Sequence, residues 1–308
     1  MNIISDPREL TGGARKVCLA IGTFDGVHLG HQQVIRQTIA DARQHEAPAV
    51  VITFDRHPST IVAPERVPPL IYSLPQKLRA IAALGADTTW LIAFDKPFSE
   101  QPGEAFGRQL ARRFERICSI CVGATFTFGH KRSGNVELLQ RLGQEFKFTV
   151  HGLAAVSLDG QTVSSTRIRE AIRAGNLDAA SQMLGRAYAL AGNVVPGDQL
   201  GRTLGFPTAN LDVSGLALPP AGVYAAHATV QGRAHRAAVN IGHRPTLARG
   251  EPRLHVEAHL LDFAGDLYGQ EIEISFVEKL REEQKFASPD LLREQIGRDI
   301  SAAQRIFG

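Results

Sequence analysis

The sequence predicts an α/β domain with a parallel sheet over residues 1–186, followed by a mainly β domain over residues 187–308. Three observations support this prediction. The 308 residues exceed what a single hydrophobic core usually organises. The first part of the chain alternates strand and helix patterns, and the last part places strand patterns one after another. The domain boundary is expected within a few residues of Ala187.

Strand and helix patterns alternate throughout the first part. The apolar run Val17–Gly22 precedes a helical pattern from His31 to Gln44. Further predicted strands are Ala49–Phe54, Thr89–Phe94, Ile117–Val122 and, more weakly, Lys147–Leu153. Predicted helices at Pro75–Leu84 and Pro102–Phe114 each begin with a proline, which suits a helix's first turn. This alternation is typical of a doubly wound sheet, whose ligands bind at the carboxyl ends of the strands.

After Gly185 the strand patterns follow one another directly. They are Tyr188–Val195, Val223–Val230, His235–Ile241, Leu254–Leu261 and Ile272–Val277. This order indicates an antiparallel barrel or sandwich. A final helix is predicted to begin at Ser288-Pro289 and to pack on the strands. Its apolar stripe consists of Leu291, Leu292, Ile296, Ile300, Ala303 and Phe307.

Composition and charge narrow the classes of partner. The chain is 44% hydrophobic and 21% charged, as soluble globular proteins are. Its net charge of +3 is far below that of a dedicated nucleic-acid binder. Residues 1–186 carry 22 basic and 17 acidic residues, a net charge of +5, whereas the remainder carries −2. The first domain therefore suits a small anionic substrate.

No apolar stretch is long enough to cross a membrane, and the amino terminus has no leader pattern. We expect a cytoplasmic protein with small-molecule ligands and no membrane partner. The oligomeric state is open between a monomer and weak self-association.

The three cysteines are too few for a disulfide framework, and an odd count fits a reducing compartment. Cys118 and Cys121 form a C-x-x-C, a spacing found in redox and zinc sites. They lie in a strand-like run, and no second such pair or nearby histidine pair completes a zinc site. We expect buried structural thiols rather than a functional pair.

The strongest functional signal is G-T-F-D-G-V-H-L-G-H, residues 22–31, between the first predicted strand and helix. His28 and His31 lie beside backbone N–H groups at a helix amino terminus, which attracts anions. Gly30 lets the backbone approach a phosphate closely. Two histidines that merely cap the helix, or a metal site completed elsewhere, are the alternatives. The preceding strand, following helix and flanking glycines favour phosphate binding.

This arrangement resembles the H-x-G-H nucleotidyltransferases, in which a second element closes over the triphosphate. Residues 163–169, V-S-S-T-R-I-R, are similar to the I-S-S-T-x-x-R signature of that superfamily. The hydroxyls of Ser165 and Thr166 and the guanidinium of Arg169 suit phosphate oxygens. By itself the segment could be an ordinary helix cap with a solvated arginine. No Walker A loop competes, because Gly-Lys occurs nowhere in the chain.

The second domain carries its own phosphate-type motif, G-R-T-L-G-F-P-T-A-N, residues 201–210. Thr208 and Asn210 project to one face of an extended segment, where a hydroxyl and an amide can ligate Mg²⁺ and phosphate oxygens. A Gly/Pro turn before an edge strand explains the motif equally well. Downstream, Glu257 lies in an alternating strand and is either a general base or a solvated strand residue.

Together, these residues resemble the bifunctional bacterial riboflavin kinase/FAD synthetases over nearly the whole chain. Further motifs that carry the resemblance are Leu200–Leu211, Asn240–Thr246, Val256–Gly269 and Leu280–Phe286. The resemblance implies a Rossmann-like nucleotidyltransferase domain followed by an antiparallel β-barrel with a terminal helix. It also implies that the barrel phosphorylates riboflavin to FMN with ATP. The first domain would then transfer AMP from a second ATP to FMN, giving FAD and pyrophosphate.

The resemblance further implies a role for each motif residue. Glu257 is the base for the riboflavin hydroxyl, Arg281 borders the flavin, and Thr125 lies near FMN. In the barrel domain, ATP and its phosphates are bound by Gly205, Thr208 and Asn210, and Thr208 and Asn210 also hold Mg²⁺. In the first domain the catalytic residues are His28, His31 and Arg169. The other ATP- and phosphate-binding residues there are Gly22, Phe24, Gly30, Ser165 and Thr166.

Three positions of the first site depart from the family pattern, and Ala187 replaces the proline of G-R-P-Y at the domain junction. Ala124 and Thr125 stand where V-G-x-[DN]-F-x-F-G usually carries acidic or amide groups, and Arg56 interrupts F-[DE]-P-H-P. These changes make the first site more positive. The alternative hypothesis is therefore a riboflavin kinase with an impaired or regulatory adenylyltransferase domain. A non-catalytic flavin-binding protein and an H-x-G-H adenylyltransferase for another substrate are the further alternatives.

Overall fold

The computed structural model describes residues 1–10, 16–114, 116–243 and 254–308. The chain divides into two compact units, Met1–Ser165 and Thr166–Gly308. The boundary predicted between residues 186 and 187 lies two helices later in the chain and stays a prediction.

A parallel sheet organises the described part of the first unit. Its strands are β1 (Asn2–Ile4), β2 (Val17–Ile21), β3 (Ala49–Phe54), β4 (Thr88–Ile92), β5 (Ile117–Gly123) and β6 (Thr149–Leu153). They lie in the order β1-β4-β3-β2-β5-β6, and each neighbouring pair is parallel. From β2 the chain runs outward through β3 and β4 and then returns to β5 on the other side. The winding direction therefore reverses between β2 and β5, and such a switch point opens a ligand crevice at the strands' carboxyl ends.

Helices connect these strands. They are α1 (Leu29–Gln44), α2 (Ser59–Val62), α3 (Leu74–Ala82), α4 (Lys96–Ser99), α5 (Gly103–Arg113) and α6 (Val136–Phe146). Short 3₁₀ turns occur at Pro7–Glu9, Asp25–Val27, Pro64–Arg66 and His130–Arg132. After the sheet come a small hairpin, β7 (Ser157–Leu158) and β8 (Gln161–Thr162), and the helices α7 (Ser165–Arg173) and α8 (Leu177–Leu184).

The predicted elements of the first part agree with the structure to within two residues. The helices α2, α4, α6 and α8 and the strands β1, β7 and β8 were not predicted from the sequence. These strands have only three and two residues, too few to show a periodic pattern.

The three cysteines are buried, as predicted. Cys18, Cys118 and Cys121 are free and buried. Burial raises the pKa of the Cys121 thiol to about 12, so it stays protonated at neutral pH. Among the described residues, no group of three or more His, Cys, Asp or Glu side chains could hold a metal ion.

The second unit contains a closed antiparallel barrel, which decides between the barrel and the sandwich. Its described strands are β9 (Ala189–Val195), β10 (Ala209–Asp212), β11 (Gly222–Val230), β12 (Arg233–His243), β13 (Leu254–Leu260) and β14 (Glu271–Arg281), with the short helix α9 (Leu200–Thr203) after β9. They close in the order β10-β13-β12-β11-β14-β9 because β9 also pairs with β10. The sequence analysis treated β10 only as an extended segment.

Residues on the barrel strands alternate between the interior and the outer face. Along β13, Val256, Ala258 and Leu260 are buried in the barrel core. His255 and Glu257 are half-buried on the opposite, outer face, because successive side chains of a strand point to opposite sides. Polar chemistry of β13 is therefore confined to the outside of the barrel.

The final helix, α10 (Pro289–Phe307), packs on the outside of the barrel through its later turns. Ala303 is fully buried against Ala225, Ala238 and Leu261. The predicted stripe is wrong at Leu291, which is 50% exposed, whereas Leu292 in the same turn is half-buried. None of the described helices combines the length and the hydropathy needed to span a membrane.

Candidate functional sites

The loop that leaves β2 is tightly folded at the switch point of the sheet. Phe24 and Gly26 have φ angles of 50° and 77°, in the left-handed region that suits glycine. A Cβ atom on Gly22 would lie 2.8 Å from the Phe24 ring, and one on Gly26 would lie 3.0 Å from Ile71. The two glycines therefore allow the loop to turn back on itself while the buried Phe24 ring fills the space beneath it.

Asp25 anchors this loop, although the sequence analysis did not single it out. Its carboxylate is 5% exposed and accepts hydrogen bonds from the backbone N–H groups of Ile71, at 3.0 Å, and Tyr72, at 3.3 Å. Both donors lie just before α3. The only signal in the sequence was the position of this residue inside the G-T-F-D-G motif.

The two histidines of the motif lie together at the start of α1. Nδ1 of His28 accepts a hydrogen bond from the backbone N–H of His31 at 3.4 Å, which leaves the proton of a neutral His28 on Nε2. The rings stack with centroids 3.5 Å apart, and Phe24 packs edge-on against His31. Gly30 keeps this space clear, since a Cβ there would lie 3.2 Å from the His28 ring. The two imidazole rings and the first backbone N–H groups of α1 therefore lie close together at the start of this helix.

Ser165, which belongs to the second predicted phosphate element, contacts this loop within the first unit. Its hydroxyl donates to the backbone carbonyl of Asp25 at 3.1 Å, across 140 positions of sequence. Ser165 is the first residue of α7, next to the exposed Thr166. Arg169 is buried one helical turn further along α7.

The residues that depart from the family pattern lie after β3 and β5. Ala124 and Thr125 are exposed directly beyond β5. Arg56 pairs with the neighbouring carboxylate of Asp55 at 2.9 Å, and Asp55 also accepts from the N–H of Phe94. Although burial alone would raise the pKa of Asp55, the hydrogen bonds from Arg56 and Phe94 lower it overall. The added charge of Arg56 thus has a carboxylate partner.

In the second unit, a cavity of about 360 Å³ lies against the outer face of the barrel. Across it runs a row of three polar residues on adjacent strands. Asn210 of β10 pairs in register with Glu257 of β13, and Glu257 pairs in register with Asn240 of β12. All three residues line the cavity, together with Thr208. The predicted base and the predicted magnesium ligands therefore belong to one site.

A glycine-rich loop packs directly against this site. A Cβ atom on Gly197 would overlap the side-chain amide of Asn210, and one on Gly201 would lie 3.1 Å from the hydroxyl of Thr208. Gly205, the glycine named by the sequence analysis, is exposed with a φ of 90°. Gly197 was missed because its close approach to Asn210 of β10 has no signature in local sequence, whereas Gly201 opens the quoted motif.

Further titratable groups surround the row. Nε2 of His255 lies 3.6 Å from the Glu257 carboxylate. Glu283 accepts from the N–H of His243 and contacts its Nδ1, both at 2.9 Å. Although burial alone would raise the pKa of Glu283, the contacts with His243 lower it overall. The sequence alone gave no site role to His243, His255 or Glu283.

Arg281 lines the cavity, but its guanidinium is already engaged. It forms a bidentate ion pair with the buried carboxylate of Asp299 on α10, with the shortest contact at 2.8 Å. This pair joins the end of β14 to the terminal helix. A flavin contact by Arg281 stays a prediction. Arg244, Pro245 and Thr246 of the Asn240–Thr246 motif lie outside the described residues.

Comparisons with known proteins match the first and second parts of the chain to two different family models. A family model described as FAD synthetase matches residues 12–167, and one described as riboflavin kinase matches residues 184–307. A relative from Escherichia coli (strain K12), named "Bifunctional riboflavin kinase/FMN adenylyltransferase", is 37% identical over 100% of this chain and 98% of its own length. Relatives of the same name from Pseudomonas fluorescens and Listeria monocytogenes are 37% and 35% identical, covering 99% and 94% of this chain and 98% and 92% of their own.

A solved structure also matches the full chain. It is titled as a macrolide-efflux protein from Streptococcus pneumoniae, has a TM-score of 0.79 and 28% identity, and covers 98% of both chains.

Proposed function

The chain belongs to the bifunctional riboflavin kinase/FMN adenylyltransferase family, and from this premise we propose which residues carry each reaction. The barrel unit converts riboflavin to FMN, and the α/β unit converts FMN to FAD. FMN is thus the product of one site and the substrate of the other. We assign the enzyme to the cytoplasm, where ATP is available to both reactions, with small molecules as its partners.

For the kinase, we assign Glu257 as the general base that takes the proton from the riboflavin 5′-hydroxyl. Its position between Asn210 and Asn240, on the wall of a cavity large enough for a ligand, supports this role. The deprotonated oxygen would attack the γ-phosphorus of ATP, and ADP would leave.

Thr208 and Asn210 supply a hydroxyl and an amide oxygen to the same cavity. These hard oxygen donors fit Mg²⁺, which prefers oxygen ligands and keeps several waters. When bound, Mg²⁺ would neutralise charge on the ATP phosphates. Because Gly197 and Gly201 have no side chains, the loop that carries them lies close to Asn210 and Thr208.

For adenylyl transfer, a phosphate oxygen of FMN attacks the α-phosphorus of ATP, and pyrophosphate leaves. We assign His28 and His31 to the α-phosphate, because their rings lie at the amino terminus of α1. The Nε2 proton of His28 and the first N–H groups of the helix would stabilise the charge that develops there. Ser165, Thr166 and Arg169 would bind the remaining phosphates, with Gly22, Phe24 and Gly30 shaping the loop.

The observation that carries this proposal furthest is the row Asn210–Glu257–Asn240 on one cavity wall. The test is to incubate the purified chain with riboflavin, ATP and Mg²⁺ and to separate the flavins by chromatography over time. We expect FMN first and FAD later, and direct formation of FAD and pyrophosphate when FMN is supplied. Omitting Mg²⁺ should stop both steps.

Two other results would contradict the proposal of a bifunctional enzyme. If riboflavin gives FMN but supplied FMN stays unchanged, the chain is a kinase with an impaired or regulatory first domain, as the exposed Ala124 and Thr125 suggest. If neither FMN nor FAD forms, the proposed function is wrong.

A further inference from the structure

A buried lysine lies beneath the adenylyl-transfer loop. Lys77 belongs to α3 and is 8% exposed. Its Nζ donates to the carbonyl of Phe54 at 2.7 Å, to the hydroxyl of Thr53 at 3.3 Å and to the carbonyl of Thr23 at 3.4 Å. An ammonium has three N–H donors, so these acceptors match its full capacity.

The three acceptors belong to two neighbouring strand ends. Thr53 and Phe54 are the last residues of β3, and Thr23 lies two residues after the end of β2. The hydroxyl of Thr53 also donates to the carbonyl of Thr23, at 3.1 Å. Lys77 and Thr53 together therefore tie the start of the loop 22–31 to the end of β3.

We propose that Lys77 is a positioning residue for adenylyl transfer, whose buried ammonium holds the ends of β2 and β3 together and thereby places His28 and His31. This inference rests on the proposed function of that loop. Lys77 acts through Thr23, which directly precedes the left-handed Phe24 whose ring packs against His31. A burial of this kind is costly for a lysine, and an aliphatic side chain would fill the same space without charge.

The network requires the charged form of the lysine. A neutral amine keeps two N–H groups and turns a lone pair toward the carbonyl oxygens, so at least one of the three hydrogen bonds is lost. Burial lowers the pKa of Lys77 to about 8, although the nearby carboxylates of Asp25 and Asp55 favour the charged form. FAD formation should therefore fall as pH rises through this range.

Other ionisable groups around Lys77 come from each neighbouring segment. They line a space of about 20 Å³, enough for a single water, beside the lysine. These groups are Asp25 after β2, Asp55, Arg56 and His57 after β3, and Tyr72 before α3. The contacts of Asp55 lower its pKa and those of Arg56 raise its pKa, so both stay charged in this range, whereas Lys77 loses its charge near pH 8.

The experiment uses the full chain, with both reactions measured on each variant. We expect Lys77→Met to lower the rate of FMN conversion to FAD by about tenfold or more, since small displacements of reacting groups have effects of this size. Riboflavin phosphorylation, in the other unit, should be unchanged, and a thermal melt that still shows the unfolding of the first unit reports that this unit is folded. The alkaline fall in FAD formation of the wild-type chain should be absent in Lys77→Met.

A second pair of variants covers the case in which Lys77→Met does not fold. Thr53→Val removes the hydroxyl but keeps the shape, and Thr53→Ser keeps the hydroxyl. We expect Thr53→Val to slow FAD formation severalfold and Thr53→Ser to retain it, with the kinase rate unchanged in both.

The possible failures are distinguishable. A wild-type chain that makes no FAD from FMN overturns the proposed function itself. A wild-type chain that makes FAD while Lys77→Met matches its rate and pH profile overturns only the inference about Lys77. The inference about Lys77 is also overturned if Thr53→Val and Thr53→Ser form FAD at equal rates and the wild-type rate of FAD formation does not change above pH 8.

Discussion

Asn210 and Glu257 lie directly opposite each other on the antiparallel strands β10 and β13. Opposite side chains in such a pair have Cβ atoms about 4.5–5.5 Å apart, close enough to bind the same phosphoryl group or metal. The strands pair because the barrel closes, although the two residues are 47 positions apart in sequence. The proposed kinase chemistry depends on this register.

We expect Glu257→Gln to lower the rate of riboflavin phosphorylation by roughly 10²–10⁴-fold, the usual contribution of a general base. The amide keeps the shape of the side chain but cannot accept the hydroxyl proton. FMN conversion to FAD should be unaffected. Glu278→Gln, at an exposed position of β14, is the matched control. A kinase rate in Glu257→Gln equal to that of the control would falsify the assignment.

At the adenylyl-transfer site, a mutation should lower FAD formation and leave the kinase reaction intact. His28→Ala should lower FMN adenylylation by about 10²–10³-fold, as the loss of one preorganised donor does, because a donor at the α-phosphate disappears. Riboflavin phosphorylation should persist. His45→Ala, at the exposed end of the same helix, serves as control. Equal loss of both activities in His28→Ala would point to unfolding instead of catalysis, and full retention would exclude the role.

Asn210→Ala should raise the concentration of Mg²⁺ needed for half-maximal kinase activity, because one oxygen donor is removed from the cavity. Titrating Mg²⁺ at saturating ATP and riboflavin measures the change. Asn193→Ala replaces an exposed asparagine of strand β9 and should leave the titration unchanged. Coincident curves for the two variants would remove Asn210 from the magnesium site.

A comparison of Gly26→Ala with Gly85→Ala distinguishes the effect of backbone strain from the effect of displacing the loop 22–31. Both glycines have positive φ, so each alanine should cost about 1–2 kcal/mol of stability. A Cβ at position 26 would also press on Ile71, whereas none of the described atoms lies within 4 Å of one at position 85. We expect a lower melting temperature in both variants, with the larger loss in Gly26→Ala, but loss of FAD formation only for Gly26→Ala. Equal FAD formation by both would show that the loop tolerates the shift.

The cysteines should be inert in the folded protein. Burial shields all three thiols from reagents, and it also raises the pKa of Cys18 and, to about 12, that of Cys121. Mass spectrometry after iodoacetamide treatment at pH 7 should show no label on the native chain and three labels after denaturation. Rapid labelling of native Cys118 or Cys121 would reopen the hypothesis of a redox pair.

Local patterns predicted the strands β2–β6 and the helices α1, α3 and α5 to within two residues, because hydrophobic periodicity and proline positions act over a few residues. They did not reveal Asp25 or Lys77. Their significance comes from burial and from acceptors on other elements, such as the carbonyl of Phe54. Leu291 fits the helical stripe in sequence but projects into solvent, since only packing decides which part of a helix meets the barrel.

By itself the sequence determined the order of strands and helices, the two phosphate-type motifs and the two activities that they imply. Only the tertiary structure decided which distant residues meet. Ser165 reaches Asp25, Lys77 ties Thr23 to Phe54, and Glu257 lies between two asparagines. The physical reason is that spacing along the chain governs local conformation. Strand register and burial, which bring these groups together, depend on the packing of the whole domain.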